Sequence, residues 1–327
     1  MKKLLLLIII SFAGSIVIAQ TNIAPKPLFD DPVYHGAADP VIIYNKKKKC
    51  WWMFYTNRRA ALADTTVQWV HGTRIGIAES KDGRTWKYKD TANINYRPDA
   101  GYTHWAPDVI EHNGTYHMYL TYVPGTFKDW NHPRVIVHLT SKDLRNWKYQ
   151  STIKLVNEKV IDASVFKVND SLWRMWYNNE KDGKSIYYAD SKDLHNWVDK
   201  GKAIAARGEG PKTFYWKGKY FMIIDAWKGM EVFSSDDLLK WKKQSTRILE
   251  LPGKGKDDQA IGGHCDVVVN NDRAFVYYFT HPGRGKANSA ARGSFDDKRS
   301  VIQLAELKYV NGEIVCDRDE RITFKLK

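Results

Sequence analysis

Cysteine is scarce in this chain of 327 residues, and its spacing argues against a metal cluster. Only Cys50, Cys265 and Cys316 occur, and no two of them have the spacing of metal ligands. An odd count leaves at least one thiol unpaired. We therefore expect buried free thiols, which behave as small apolar side chains.

Long apolar runs are also absent beyond the N-terminus, so no later segment is expected to cross a membrane. The N-terminus itself has a short positive region, Met1-Lys2-Lys3, then an apolar stretch that ends in Val17-Ile18-Ala19. This order is typical of a secretion signal with its cleavage site. We expect residues 1–19 to be removed, leaving no stable membrane anchor. Residues 20–327 would then form a secreted or periplasmic protein.

The chain has no recognised nucleic-acid-binding motif, although its formal net charge is +14. For an exported protein, an anionic glycan is a better partner for this excess than nucleic acid. The 13 Trp, 18 Tyr and 12 Phe suit strand packing and also suit stacking on sugars. Solvated surface lysines, as in Lys46-Lys47-Lys48-Lys49, remain the simplest account of much of the charge. The sequence leaves the oligomeric state open.

A short motif, Ser-x-Asp-Leu-x-x-Trp, is the strongest signal that is present. It occurs at residues 141–147, 191–197 and 235–241, and residues 80–86 form a fourth copy with Gly83 in place of Leu. Ser and Asp side chains bond nearby backbone N–H groups and hold turns, while Leu and Trp supply apolar bulk. The copies lie about 45 to 60 residues apart, which is typical of propeller blades.

Each copy follows a strand-like segment, and hairpin signals such as Asn113-Gly114 divide the remaining sequence. A fifth unit lacks the motif, and residues 301–307 supply its further strand. No linker or change in composition divides the chain. We predict a single all-β domain, a five-bladed β-propeller with four-stranded blades. The N-terminal lead or the C-terminal tail is expected to close the ring.

The opening strand of each unit begins with a polar residue: Asp39, Asp108, Asp162, Glu209 and His264. The innermost strands of a propeller line its channel, so these side chains are expected to converge at one end of the axis. Carboxylates gathered in a partly dry pocket have pKa values that are pushed apart, which suits general acid and base catalysis. Any one of them alone would more often be structural, and Asp108 is placed on that side.

Several of these segments resemble glycoside hydrolase family 43, five-bladed propellers that cleave glycosidic bonds with inversion. The resemblance spans roughly residues 39–284, and Ala163 stands where the family usually has Pro. The segments that carry it are Ala38-Asp39-Pro40, Trp105-Ala106-Pro107-Asp108, Ile161-Asp162-Ala163-Ser164-Val165-Phe166, Glu209-Gly210-Pro211 and Gly263-His264.

This resemblance implies a role for each matched residue. Asp39 would be the general base, Glu209 the general acid, and Asp162 a charged residue that tunes and orients the acid. His264 would sit near the axis and help to hold a calcium ion or a water molecule. No cofactor would be required for the reaction, and a structural Ca²⁺ near the axis is the one metal that the family suggests.

Substrate contacts are expected from Trp105, Asp108, Trp227 and Arg284, near the tops of the blades. The substrate would be an oligo- or polysaccharide, with arabinofuranosides, xylosides and galactosides as candidates. Two alternatives stay open. One is a non-catalytic glycan-binding propeller, which the retention of three carboxylates disfavours. The other is an anhydrogalactosidase or phosphorylase of a sister propeller family.

Overall fold

Five β-sheets surround one axis in the computed structural model, which describes residues 23–97, 101–285 and 289–326. The first strands of successive sheets contact one another in cyclic order, which confirms the predicted single, all-β, five-bladed propeller. The predicted signal segment, residues 1–19, lies outside the described residues. Helical turns within them are short: Gln68–Val70, Pro282–Arg284 and Phe295–Lys298.

Each blade is a four-stranded antiparallel sheet whose strands run outward from the axis in chain order. Blade 2 also carries a short parallel strand, β5, on its outer edge. The strands are, in blade 1, β1 Ala37–Asn45, β2 Cys50–Asn57, β3 Arg74–Ser80 and β4 Lys87–Thr91; in blade 2, β5 Asn93–Asn95, β6 Thr103–His112, β7 Thr115–Val123, β8 Val135–Ser141 and β9 Asn146–Thr152; in blade 3, β10 Val160–Asn169, β11 Leu172–Asn179, β12 Ser185–Ser191 and β13 Trp197–Ile204; in blade 4, β14 Glu209–Trp216, β15 Lys219–Asp225, β16 Met230–Ser235 and β17 Lys242–Lys243; in blade 5, β18 Gly263–Asn270, β19 Arg273–Thr280, β20 Val301–Val310 and β21 Glu313–Cys316.

The hydrophobic core is divided among the five junctions between neighbouring blades. Side chains alternate between the two faces of a strand, so the second strand of a blade serves two junctions. In β2, Trp52 and Phe54 pack toward blade 2, whereas Met53 and Tyr55 pack toward blade 5. Because both faces are buried, these strands appear in the sequence as continuous apolar runs.

The Ser-x-Asp-Leu-x-x-Trp motif forms the turn from the third to the fourth strand of blades 1–4. At residues 191–197, the Ser191 hydroxyl accepts the N–H of Leu194 at 2.9 Å. Asp193 Oδ1 accepts the next two backbone N–H groups, at 2.9 and 2.7 Å. Leu194 has a left-handed φ of 66°, and Gly83 has 77° at the same position. Glycine adopts this φ without strain, so Gly83 suits the turn better than Leu does.

The same turn also fastens one blade to the next. The carbonyl of Leu194 accepts a hydrogen bond at 2.7 Å from the hydroxyl of Tyr119 in blade 2. The corresponding carbonyls of Leu238 and Gly83 accept from Arg174 and Tyr277, at 3.0 Å in both cases. The motif recurs because each copy forms both a turn and an inter-blade contact.

Ring closure uses both ends of the described chain but adds no strand to a blade. The lead forms isolated bridges to blade 5, including Phe29 to Ile302 of β20. The tail places Phe324 and Leu326 in the core between blades 5 and 1. The expected contribution of the two termini is therefore present as single bridges and apolar packing.

The cysteines follow their prediction, since all three are free thiols. Cys50 and Cys265 are buried and Cys316 is half-buried. Among the described residues, no helix has the length and apolar character needed to cross a membrane.

Candidate active site

The first strand of every blade is interrupted by a β-bulge close to its start. In blades 1–4 the bulge holds a residue with left-handed φ: 52° at Asp39, 39° at Ala106, 59° at Asp162 and 57° at Gly210. Bulges re-aim side chains, and strained backbone of this kind clusters at functional sites. In blades 1 and 3 the bulge presents a carboxylate at the end of the axis.

Blade 2 departs from the predicted equivalence of the five strand starts. Its bulge position is Ala106, and Asp108 lies two residues further along β6. Asp108 Oδ2 accepts the Val165 N–H at 2.7 Å, and Oδ1 lies 3.1 Å from Lys212 Nζ. The structure therefore places Asp108 one layer below the bulges, in contact with neighbouring blades. This placement agrees with the structural role expected for it and differs from the predicted substrate contact.

A cavity of about 800 Å³ opens where the bulges converge, a volume typical of ligand sites. Its wall comes mainly from the loops that follow the second strand and precede the first strand of each blade. The structure brings together seven of the eight predicted site residues, since the lining includes Asp39, Trp105, Asp162, Glu209, Trp227, His264 and Arg284.

Asp39 is held by an arginine that the sequence analysis did not single out. Arg58 Nη2 donates to Asp39 Oδ1 and Oδ2 at 3.1 and 3.2 Å. His281 Nδ1 donates to the Arg299 carbonyl at 2.9 Å, which leaves Nε2 to accept from Arg58 Nη1 at 3.2 Å. Burial lowers the pKa of His281 well below its ordinary value, so this imidazole is neutral. Arg58 is thereby fixed beside the Asp39 carboxylate.

Asp162 lines the same cavity as Asp39 and Glu209, and the charges of both act on it. Its Oδ2 accepts the Gly210 N–H at 3.0 Å. His264 Nδ1 lies 3.7 Å from Asp39 Oδ1 and 3.9 Å from Asp162 Oδ2, so one imidazole adjoins both carboxylates. A Cβ on Gly210 would lie 2.4 Å from the His264 ring, and this close approach requires glycine.

Burial changes the protonation of this group of carboxylates. It raises the pKa of Asp162 well above its ordinary value, and the charges of Glu209 and Asp39 add to the effect. Burial also raises the pKa of Glu209, and the nearby Lys184 ammonium opposes that rise. That Asp162 stays ionised remains a prediction, and the Gly210 N–H favours the ionised form against the effect of burial.

Trp227 contacts Glu209 directly and has an unusual backbone conformation. Its indole Nε1 donates to Glu209 Oε1 at 3.0 Å, and its φ is 55°. Asp225 fixes this turn, because Oδ1 accepts the Trp227 N–H at 2.7 Å and Oδ2 accepts the His264 N–H at 2.9 Å. Burial, followed by the charge of Glu209, raises the pKa of Asp225 to about 7. The strained Trp227 is therefore held against the predicted acid.

A row of alternating charges continues from Glu209 along the cavity wall. Lys184 Nζ lies 3.6 Å from Glu209 Oε2 and 2.6 Å from Glu180 Oε1. Arg134 Nε lies 2.6 Å from the other oxygen of Glu180. Lys184 therefore places a positive charge beside the predicted acid, and the ion pair with Glu180 fixes its position.

Aromatic side chains form the rim. Trp105 is mostly buried, and its indole donates to the Val70 carbonyl at 2.6 Å. Trp130, which the sequence analysis did not select, is 54% exposed and stands next to it. Arg284 lies over Trp69, and its Nε is 3.0 Å from Asp297 Oδ1. Trp130 and Trp227 expose more ring surface to the cavity than Trp105 does.

The axis beneath His264 does not suit the calcium ion that the family suggests. Two layers of side chains converge there, and the lower one contains the Lys212 ammonium, 2.8 Å from Asp266 Oδ1 and 3.1 Å from Asp108 Oδ1. A fixed positive charge at this point repels a divalent cation. Within the described residues, no group of three or more His, Cys, Asp or Glu side chains could hold a metal.

The site residues that the sequence analysis did not select lie in one kind of segment. Arg58, Glu180, Lys184 and Asp225 lie in, or at the end of the strand leading into, loops that follow second strands. Those loops vary between blades, so no repeat marked them. The available signal was positional: in a propeller, the loops after second strands lie at the same end of the axis as the starts of the first strands.

Comparison with known proteins adds one family. Residues 29–228 match the model of Glycosyl hydrolases family 43. Among curated proteins, none matches this sequence.

Solved structures with the same fold are similar to this chain over most of its length. A thermostable family-43 glycoside hydrolase is 18% identical with a TM-score of 0.66, covering 91% of this chain and 99% of its own. A family-43 β-1,3-galactosidase solved with galactodeoxynojirimycin is 14% identical, with a TM-score of 0.65 and coverage of 92% and 100%. A β-xylosidase/α-arabinofuranosidase from a compost microbial metagenome, solved with xylotriose, is 16% identical, with a TM-score of 0.62 and coverage of 86% and 94%.

Proposed function

The chain belongs to glycosyl hydrolase family 43, and from that premise we propose that it cleaves terminal glycosidic bonds of plant or algal polysaccharide fragments with inversion. The observation that carries this proposal is the group of carboxylates on the floor of the cavity, where Asp39 and Asp162 are buried and Glu209 is partly exposed. Asp39, Asp162 and Glu209 meet there from three blades, and their environments differ. Glycoside cleavage by inversion requires one carboxylic acid and one carboxylate of this kind.

Glu209 acts as the general acid in this scheme. Burial raises its pKa, which favours a carboxyl that still carries a proton near neutral pH. The proton on Glu209 is delivered to the departing glycosidic oxygen. Trp227 orients the Glu209 carboxyl through its indole N–H.

Asp39 acts as the general base. Arg58 fixes its carboxylate and compensates its charge, and both side chains line the cavity. Asp39 takes a proton from the water that attacks the anomeric carbon on the face opposite the leaving group. His264 adjoins both Asp39 and Asp162.

The substrate is a sugar of the arabinofuranoside, xyloside or galactoside type. The structural neighbours include a galactosidase and a xylosidase/arabinofuranosidase, which supports this range. Arg207 lies over the Trp227 ring at the cavity wall, and it has no carboxylate partner within the described residues. An exposed guanidinium beside the acid favours a substrate that carries a carboxylate or sulfate group.

We also propose the export route that the N-terminal sequence predicts. The mature protein begins near residue 20 as a secreted or periplasmic domain and meets its glycan outside the cytoplasm. N-terminal sequencing of the protein recovered from a periplasmic or culture fraction tests this point.

The first experiment measures sugar release by wild type and Glu209→Gln from neutral and acidic polysaccharides and aryl glycosides. We expect the variant to lose about 10²–10⁴-fold in kcat on natural glycosides. The loss should be much smaller on a dinitrophenyl glycoside, whose leaving group needs no proton. Glu306→Gln is the matched control, because that glutamate pairs with Arg273 on the outer part of blade 5.

Equal release by wild type and Glu209→Gln would remove Glu209 from the acid role. Glycan retention without any release would assign the protein to the binding class. Proton NMR of the first product formed tests inversion, since an inverting enzyme initially yields the opposite anomer.

A further inference from the structure

Three charged side chains meet on the propeller axis, one layer below the cavity floor. Lys212 from β14 lies between Asp108 from β6 and Asp266 from β18, with Nζ–Oδ1 distances of 3.1 and 2.8 Å. The two carboxylates are 4% and 3% exposed, and the lysine side chain is 18% exposed. We refer to Asp108, Lys212 and Asp266 as the axial triad.

The axial triad reaches all five blades. Its members belong to blades 2, 4 and 5, and their remaining oxygens accept backbone N–H groups from the other two. Asp108 Oδ2 accepts Val165 N–H of blade 3 at 2.7 Å, and Asp266 Oδ2 accepts Ile42 N–H of blade 1 at 2.6 Å. Each carboxylate is therefore shared between the lysine and a neighbouring inner strand.

The ammonium is the central member of this arrangement. Two buried carboxylates that face one another repel unless a cation lies between them. Burial raises the pKa of Asp266, and the Lys212 charge opposes that rise. The same two carboxylates raise the pKa of Lys212 above its ordinary value despite its burial, so it remains charged.

We propose that Lys212 is a built-in cation that takes the place of a metal ion on the axis, so that the propeller closes and works without a divalent ion. A hard divalent cation binds carboxylate oxygens, and the oxygens available here already contact the lysine and three backbone N–H groups, those of Ile42, Val165 and Val267. The inference concerns the assembly of the ring, so it stands whichever glycoside the cavity accepts.

The test begins with the wild-type protein. Metal content by elemental analysis should show no stoichiometric divalent ion in the folded protein. The thermal midpoint and the sugar-releasing activity should be the same in EDTA and in millimolar Ca²⁺. A fall in the midpoint with EDTA that Ca²⁺ restores would overturn the proposal.

The variants Lys212→Ala and Lys212→Met separate the charge of this lysine from its volume. Both leave the two carboxylates uncompensated and should have lower thermal midpoints than wild type. Alanine opens space for an ion and its water, so Ca²⁺ should raise the midpoint of Lys212→Ala, whereas NaCl at equal ionic strength should not. Methionine fills the space, so Lys212→Met should respond less.

Two results from the variants would count against the proposal. If Lys212→Ala were as stable as wild type, the ammonium would not hold the carboxylates together. If it were destabilised but indifferent to Ca²⁺, the equivalence between lysine and metal would fail. Should neither variant fold, the metal content and EDTA response of the wild type still decide the question.

Discussion

Two successive layers of side chains on the propeller axis both contain carboxylates. Those of the upper layer line the cavity, whereas those of the lower layer are buried and paired with a lysine. In the upper layer, Asp39, Asp162 and Glu209 border an open cavity, and burial raises the pKa values of Asp162 and Glu209. In the lower layer, Asp108 and Asp266 are buried, hydrogen-bonded and matched with Lys212. Each Asp of the lower layer contacts the Lys212 ammonium and a backbone N–H of a neighbouring blade and does not line the cavity, so it is not placed to exchange a proton with a substrate.

A residue of the upper layer and a residue of the lower layer are only two positions apart on the same strand. On β14, Gly210 belongs to the upper layer and Lys212 to the lower one. In blades 1 and 3 the upper-layer carboxylate lies in the bulge itself and lines the cavity, whereas Asp108 and Asp266 follow the bulges of their strands and bind neighbouring blades. The difference teaches that the position of a carboxylate relative to the bulge separates the residues of the cavity from those that join the blades.

Replacing one aspartate of each layer by asparagine, in two separate variants, gives the largest expected effects. Asp39→Asn removes the proposed base and should lower kcat by about 10²–10⁴-fold. Its thermal midpoint should stay within about 3 °C of wild type, because the change also relieves repulsion among carboxylates. Asp108→Asn should retain most of its kcat but lose about 1.5–3 kcal/mol in the free energy of unfolding, as is typical of hydrogen bonds to charged groups.

Steady-state kinetics and thermal unfolding of the two variants, measured side by side, check this contrast. The opposite pattern, with Asp39→Asn active and unstable and Asp108→Asn stable and inactive, would mean that the two layers have been assigned the wrong way round.

The next largest effect concerns the cation beside the acid. Lys184 lowers the pKa of Glu209 against the effect of burial, so Lys184→Met should raise that pKa further. The alkaline limb of the kcat/KM profile should then move to higher pH by about one unit. Lys181→Met is the matched control, because Lys181 pairs with the exposed Glu158 instead. A limb that stays in place or moves to lower pH would show that Lys184 does not act on Glu209.

Much of the fold could be predicted because its signals are local. The Ser-x-Asp-Leu-x-x-Trp turn is held by hydrogen bonds within one short segment, so the residue types themselves reveal it. The three-residue strand β5 and the closure of the ring gave no such signal. Both depend on pairing with distant residues: β5 lies along β9, and Phe29 bridges to Ile302.

The three carboxylates of the site could be predicted because each sits at or near a repeated strand start. Asp39, Asp162 and Glu209 were found in this way. Asp108 was grouped with them because its segment also begins a blade. The left-handed residue of that segment is Ala106, and alanine in a sequence does not indicate a left-handed φ. Arg58 and Asp225 were missed because the loops that follow the second strands do not repeat from blade to blade.

The smallest expected effect lies away from the axis and concerns the contribution of two buried histidines to the pH dependence of stability. His117 Nδ1 and His138 Nε2 are 2.9 Å apart, and His195, His112 and Lys142 add positive charge around them. Burial, and then these charges, lower the pKa of His117 to about 4, while burial lowers that of His138 to about 3. The unfolded chain therefore binds protons from about pH 6.5 downward, whereas the folded protein does not until about pH 4. Stability should be greatest above pH 6.5 and should fall toward pH 4.

In His117→Gln the thermal midpoint should drop about 2 °C less between pH 7 and pH 5 than in wild type. His195→Gln, which removes an exposed imidazole of the same cluster, should keep most of the wild-type drop, and an equal drop in all three proteins would exclude His117 as its source.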